Sequence, residues 1–123
     1  MYPEKDHFPN GMKPVIDYAH SKGLDFGLYT CGGTKTCVGN RPGSKDHWEQ
    51  DANIYAEWGV DWVKMDWCNS APQTPKDTYP KMSKAMNASG RHMHFNVGGS
   101  QRTYLPISSA SYSCDSLYAL GSG

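Results

Sequence analysis

The stretch "VDWVKMDWCN", residues 60–69, ends an apolar run in a carboxylate. Val60, Trp62, Val63 and Met65 read as a buried strand, and Asp66 closes that run without alternating with it. Burying a carboxylate is costly unless a partner pairs with it or a reaction uses it. Two roles stay open for Asp66 on position alone: a cap for the turn or helix that follows, or catalysis. The other reactive side chains point to less. Cys31, Cys37, Cys68 and Cys114 form no close CxxC pairs, so a zinc reading is weak. The histidines lack metal-ligand spacing; His92 and His94 alternate and read as packing or surface. The loop "TCGGTKTCVGNRPGS" is glycine-rich but lacks the GxxxxGK[ST] order, and it precedes its helix by too much for a phosphate loop.

Three segments would position these residues, each an amphipathic helix, a glycine and a short apolar run. In the first, Asn10 is placed to cap, Met12, Val15, Ile16 and Ala19 share a helical face, Gly23 stops the helix, and Leu24 to Tyr29 reads as a strand. In the second, Ser44 is placed to cap, Trp48, Ala52 and Tyr55 line one face, Gly59 is the stop and a strand begins at Val60. In the third, Tyr79, Met82 and Met86 share a face, Gly90 is the stop, and Met93 to Val97 is the strand. The stop glycines recur at roughly the length of one βα unit. Alternating helices and strands predict an α/β fold with parallel strands joined by right-handed crossovers. Three units cannot close a (β/α)8 barrel of about 250 residues, so the expectation is an open α/β piece or a fragment of something larger. In either architecture the active site lies at the C-terminal strand ends, where Tyr29 and Asp66 fall.

Composition narrows the partners. The chain has 123 residues, 12 basic and 12 acidic, with no basic stripe for nucleic acid and no charged tail for a membrane surface. No apolar run approaches the length of a membrane helix. The opening "YPEKDHFPNG" lacks the features of a signal peptide, so the expectation is either a chain that is not secreted or one whose natural start lies upstream.

The blocks "FPNGMKPVIDYAHSKGLDFGLYT", "GTKTCVGNRPGS", "EQDANIYAEWGVDWVKMDWCN" and "YPKMSKAMNASGR" closely resemble the α-galactosidase family, glycoside hydrolase family 27, which also holds α-N-acetylgalactosaminidases. The resemblance runs from about Phe8 to Val97 and keeps the order and spacing of all four blocks. It implies a partial (β/α)8 TIM barrel covering roughly strands three to five: residues 1–97 as an incomplete glycosidase catalytic domain, and residues 98–123 as an irregular tail without family match. The family's strand-four motif, Lys-Tyr-Asp-Asn-Cys, is matched by Lys64-Met65-Asp66-Trp67-Cys68. The resemblance thus implies Asp66 as catalytic nucleophile, Lys64 as a ligand of galactose hydroxyls on the same strand face, and Tyr29 as a wall of the sugar pocket. It also implies a Cys37–Cys68 disulfide. The chemistry would be retaining hydrolysis of a terminal α-linked galactose, which needs two carboxylates about 5–5.5 Å apart. No cofactor and no metal is implied. The partner would be an α-galactoside oligosaccharide or glycoconjugate, and the location secreted, lysosomal or vacuolar. "NAS" at 87–89 is a glycosylation sequon or a plain helix end.

The chain also departs from the family. Tyr29 is followed by Thr30 and Cys31 where the family has Ser-Asp, and Cys31 has no family partner. The aspartates before Cys-Trp, the strand-five Cys-Glu-Trp-Gly and the acid/base aspartate have no counterpart; Asp115 in "SCDSL" lacks the family context. Bases for Gly99 to Tyr104 can be chosen so that another frame reads Gly-Leu-Lys-Glu-Pro, the kind of sequence that follows Cys-Glu-Trp in the family, so the tail is read as a frame change. The alternative to a working glycosidase segment is a catalytically inactive truncated or frameshifted product. Galactose against N-acetylgalactosamine, the pairing of Cys31 and Cys114, and the oligomeric state stay open.

Overall fold

The computed structural model describes residues 3–98. Three helices alternate with three strands: α1 (Lys13–Ser21), β1 (Gly27–Cys31), α2 (Trp48–Trp58), β2 (Trp62–Asp66), α3 (Pro75–Ala88) and β3 (His94–Val97). The strands form one sheet in the order β1-β2-β3, and both pairings are parallel. This is the alternating plan read from the helical faces and stop glycines. Gly23, Gly59 and Gly90 do end the helices in left-handed conformation, with φ of 72°, 85° and 80°. The N–H groups of Gly59 and Val60 turn back onto the carbonyls of Ala56 and Tyr55 respectively and close the last turn of α2.

The register sorts the strand residues onto two faces. Tyr29 lies beside Lys64, Cys31 beside Asp66, Trp62 beside His94 and Lys64 beside Asn96. Side chains alternate along a strand, so Tyr29, Cys31, Trp62, Lys64, Asp66, His94 and Asn96 share one face. Thr30, Val63, Met65 and Val97 take the other, where all four are buried among the helices. There Ile16 of α1, Ala52 and Tyr55 of α2, and Tyr79, Met82 and Met86 of α3 complete the core. Burying side chains of this size is worth about 1.5–3 kcal/mol each, so this layer dominates the fold. Phe95 and Trp67 set their rings edge-on to Tyr79, with centroids 6.3 and 5.3 Å away.

Several local expectations are corrected. Asn10 does not cap α1; Met12 holds that position without a side-chain bond. Ser44 does not cap α2, whose N-cap is His47, because its hydroxyl is buried 2.5 Å from that of Thr30 and serves the core instead. Val15 is 40% exposed, whereas Met12 and Ile16 are buried in the core. Trp62 is half-buried, and Asp66 is in phase with Trp62 and Lys64 rather than breaking the alternation. The strands begin one to three residues later than the apolar runs suggested, since Leu24 lies 61% exposed in the connection before β1. Cys114, Asp115, the frame-change segment and the rest of the tail lie outside the described residues.

Candidate active site

Asp66 ends the central strand, at the edge where parallel sheets carry their chemistry. Its Oδ1 accepts from the Trp67 N–H at 2.9 Å, which stiffens the turn leaving β2. Its Oδ2 lies 3.2 Å from the Tyr29 hydroxyl, which donates to it. Asp66 caps no described helix, because the N-cap of α3 is Thr74, whose hydroxyl accepts from the Asp77 N–H; the bond from the Trp67 N–H makes it the cap of the turn leaving β2. Burial, followed by the Asp66 charge and its hydrogen bond, raises the Tyr29 pKa above its ordinary 10.0. The phenol is thus held protonated as a donor. Lys64, beside Tyr29 in register, places Nζ 5.9 Å from the centroid of the Tyr29 ring. Lys64, Tyr29 and Asp66 therefore form one constellation of cation, phenol and carboxylate on the face away from the helices.

The two loops beyond the strand ends are knitted together. Cys37 and Cys68 are disulfide-bonded, with Cα atoms 4.9 Å apart, within the reach such a bridge requires. Cys37 Sγ also lies 3.2 Å from the Tyr29 hydroxyl, so the bridge abuts the constellation. Thr34 N–H donates to the Asn69 carbonyl at 3.2 Å, Asn69 Nδ2 donates to the Thr36 carbonyl at 2.9 Å, and Gln73 Nε2 donates to the Gly32 carbonyl at 2.9 Å. Gly33 makes this contact possible: a Cβ there would sit 2.1 Å from the Cys68 carbonyl oxygen and 2.2 Å from that of Asn69. Gly98 leaves room for the carboxylate itself, since a Cβ there would lie 2.8 Å from Asp66 Oδ1. Cys31 is a buried free thiol whose Sγ accepts from the Cys68 N–H and faces the Cys68 carbonyl, both at 3.1 Å.

A second charged cluster sits at the opposite end of the sheet. Asp61 accepts from Arg91 Nη2 at 2.7 Å and from the Phe26 N–H at 2.9 Å, and shares a 2.6 Å hydrogen bond with His20 Nε2. Arg91 also donates from Nε to the Val60 carbonyl and from Nη2 to that of Gly59. Burial alone would raise the Asp61 pKa, but the donors from Phe26, His20 and Arg91 outweigh it and hold the carboxyl below its ordinary 3.8. The cluster ties together the ends of all three helices and is structural. Its members are too far apart in the chain for spacing to reveal them; His20 and Asp61 are separated by 41 residues. Two further site neighbours, Gln73 and Gly98, were also missed, the first because it lies in an aperiodic loop. His92 and His94 make a ring contact, with centroids 5.1 Å apart, and His94 packs on Trp62. Asn87 is exposed in the last turn of α3. Among the described residues no helix is long and apolar enough to cross a membrane.

Residues 1–113 match the family model Melibiase_2, described as Alpha galactosidase A. The chain is 49% identical over 94 residues to alpha-galactosidase A of Cellvibrio japonicus, an alignment covering 76% of this chain and 23% of that protein. It is 48% identical over 97 residues to the alpha-galactosidase of Coffea arabica, covering 79% of this chain and 26% of that protein. The solved structure of the Saccharomyces cerevisiae alpha-galactosidase with raffinose superposes with a TM-score of 0.74 at 34% identity, over 78% of this chain and 22% of that one. The chain thus spans about a quarter of the length of the curated relatives it matches.

Proposed function

Since the chain belongs to the alpha galactosidase A family, we propose that it carries the nucleophile half of a retaining α-galactosidase site, with Asp66 as the nucleophile. The observation that carries this reading is the placement of Asp66 at the C-terminal end of the central strand, with Tyr29 on its Oδ2 and Lys64 on the same face. On that face Tyr29 and Lys64 are exposed and Asp66 is half-buried, as side chains on the inner wall of a barrel segment would be before its neighbours close it. We place β1, β2 and β3 as strands three, four and five of a (β/α)8 barrel, and residues 1–97 as the part of the catalytic domain present here.

In this reading a terminal α-linked galactose lies across the strand ends, its hydroxyls bonded by Lys64 and Tyr29. Asp66 attacks the anomeric carbon with its carboxylate. An acid, contributed from outside residues 3–98, protonates the leaving oxygen. Water then cleaves the glycosyl ester and the configuration is retained. Trp67 N–H and Tyr29 O–H fix the carboxylate orientation, so that little reorganisation precedes attack. The disulfide keeps the loop after β1 over the site. The α-galactoside substrate class draws support from the raffinose in the yeast relative. Hydrolysis of a terminal α-linked N-acetylgalactosamine is the alternative reading. The test is a graft of residues 3–98 into a full-length family member, assayed with p-nitrophenyl α-galactoside. The graft should turn over substrate and its Asp66→Asn form should not. An active Asp66→Asn graft would refute the assignment.

A further inference from the structure

We propose that Cys31, Cys37 and Cys68 form a three-thiolate site for a thiophilic metal ion, of the class of Cd²⁺, Zn²⁺ or Cu⁺, once the Cys37–Cys68 bond is reduced. The three Sγ atoms lie within 4.8 Å of one another, although they come from the end of β1, the loop after it and the turn after β2. A metal with three thiolates at about 2.3 Å holds its sulfurs about 4 Å apart, so the Cys37 and Cys68 sulfurs must part by about 2 Å once the bond opens, a side-chain movement, while Cys31 Sγ is already within 4.8 Å of both. Thiolates favour soft ions over Mg²⁺ and Ca²⁺.

The surroundings are suited to this. The Cys68 N–H already donates to Cys31 Sγ at 3.1 Å, and the Tyr29 hydroxyl, whose proton is given to Asp66, lies 3.2 Å from Cys37 Sγ. A backbone donor of the first kind holds a thiolate ligand in place around an ion. Cys31 is buried, Cys68 half-buried and Cys37 exposed, which gives the cluster a closed floor and an open mouth. The loops that carry Cys37 and Cys68 stay joined without the bridge, through Thr34 to Asn69 and Asn69 to Thr36. Reduction adds two electrons and two protons to the disulfide and yields two thiols; a phosphine or a dithiol is the reductant. Three thiols then bind a divalent ion and release three protons, so affinity rises with pH. In the oxidised chain two of the three sulfurs are bonded to each other, and no such site exists. The inference does not depend on the role proposed for Asp66.

The test uses the full 123-residue chain carrying Cys114→Ser, so that the fourth thiol contributes nothing. The chain is reduced with a phosphine without oxygen, freed of reductant and titrated with Cd²⁺ alone. The thiolate-to-cadmium absorption in the ultraviolet is recorded beside circular dichroism. One ion per chain should bind, with the absorption of three thiolates. Cys37→Ser, at an exposed position that leaves the core untouched, and Cys31→Ser should each weaken binding by at least the roughly 10–100-fold known for outer-shell changes. Binding should also weaken at least about 10-fold in urea, because the folded chain brings the sulfurs together in advance. Equal affinity in the unreduced chain, in urea or in the Cys37→Ser variant would overturn the proposal.

Discussion

Replacing Cys37 and Cys68 together by serine removes the one covalent tie between the loop after β1 and the turn after β2. The two cysteines are 31 residues apart. In the chain-entropy model a loop of that length reduces unfolded-state entropy by about 12 cal/mol/K, which is about 3.7 kcal/mol at room temperature. A small domain holds about 5–15 kcal/mol in all, so the double variant should lose a large part of its stability. For a domain of this size the melting temperature should fall by roughly 15–30 °C. The native loops should change little, because the hydrogen bonds of Thr34, Asn69 and Gln73 do not involve the sulfurs. The cost therefore arises mainly in the unfolded chain, which the bridge no longer restricts. Urea unfolding followed by circular dichroism, on the bridged chain and the double variant, measures the difference. A steeper denaturant dependence in the variant would report the more expanded unfolded state. A loss under about 1 kcal/mol, with an unchanged slope, would refute the entropic account and leave the bridge only a local role.

Gly33→Ala should destabilise by about 1–3 kcal/mol, the range for overpacking, because the added Cβ meets two backbone oxygens that cannot swing aside; an unchanged urea midpoint would contradict the close approach. The Asp61 cluster gives a pH dependence of definite sign. Its carboxyl is held below 3.8 in the fold, so its contribution is fully present above that value and is lost as pH falls through the lower folded value. Asp61→Asn should therefore cost stability near neutrality by an amount that shrinks as the pH is taken below 3.8, and a constant difference across that range would exclude this linkage. The 123-residue chain alone should show no α-galactosidase activity beside a full-length relative, since removing one member of a retaining pair forfeits acid–base help worth about 10²–10⁴-fold. Turnover well above background, abolished by Asp66→Ala, would place an acid/base within these residues, with Asp115 the first to examine.

Periodicity exposed most of the fold, because a helix buried on one face and a strand flanked by glycine stops leave regular marks. Ile16, Ala52, Tyr55, Tyr79, Met82 and Met86 all reach the core. Local capping was less legible. Ser44 has the right side chain in a plausible place, yet its hydroxyl is taken by Thr30, a contact set by how the loop folds back on β1. The alternation of Asp66 was hidden because Trp62 is apolar and half-buried, so the run looked uniform although only Val63 and Met65 face the helices. Lys64, Tyr29 and Asp66 meet because parallel register sets residue 29 beside 64 and 31 beside 66, which composition cannot reveal but the family resemblance implied. The same resemblance implied the Cys37–Cys68 bond that the structure contains. It offered nothing for Cys31, whose thiol is lodged against the Cys68 backbone.

The claim that Asp66 is the nucleophile is tested most directly by trapping the intermediate. A full-length family member carrying residues 3–98 of this chain is treated with a 2-deoxy-2-fluoro-α-galactosyl donor, which slows hydrolysis of the glycosyl ester. It is then digested and mapped by mass spectrometry. The account predicts one added sugar per chain, on the peptide containing Lys64, Asp66 and Cys68 and assigned to the Asp66 side chain. A sugar on any other carboxylate, or no covalent adduct while the graft turns over substrate, would contradict it.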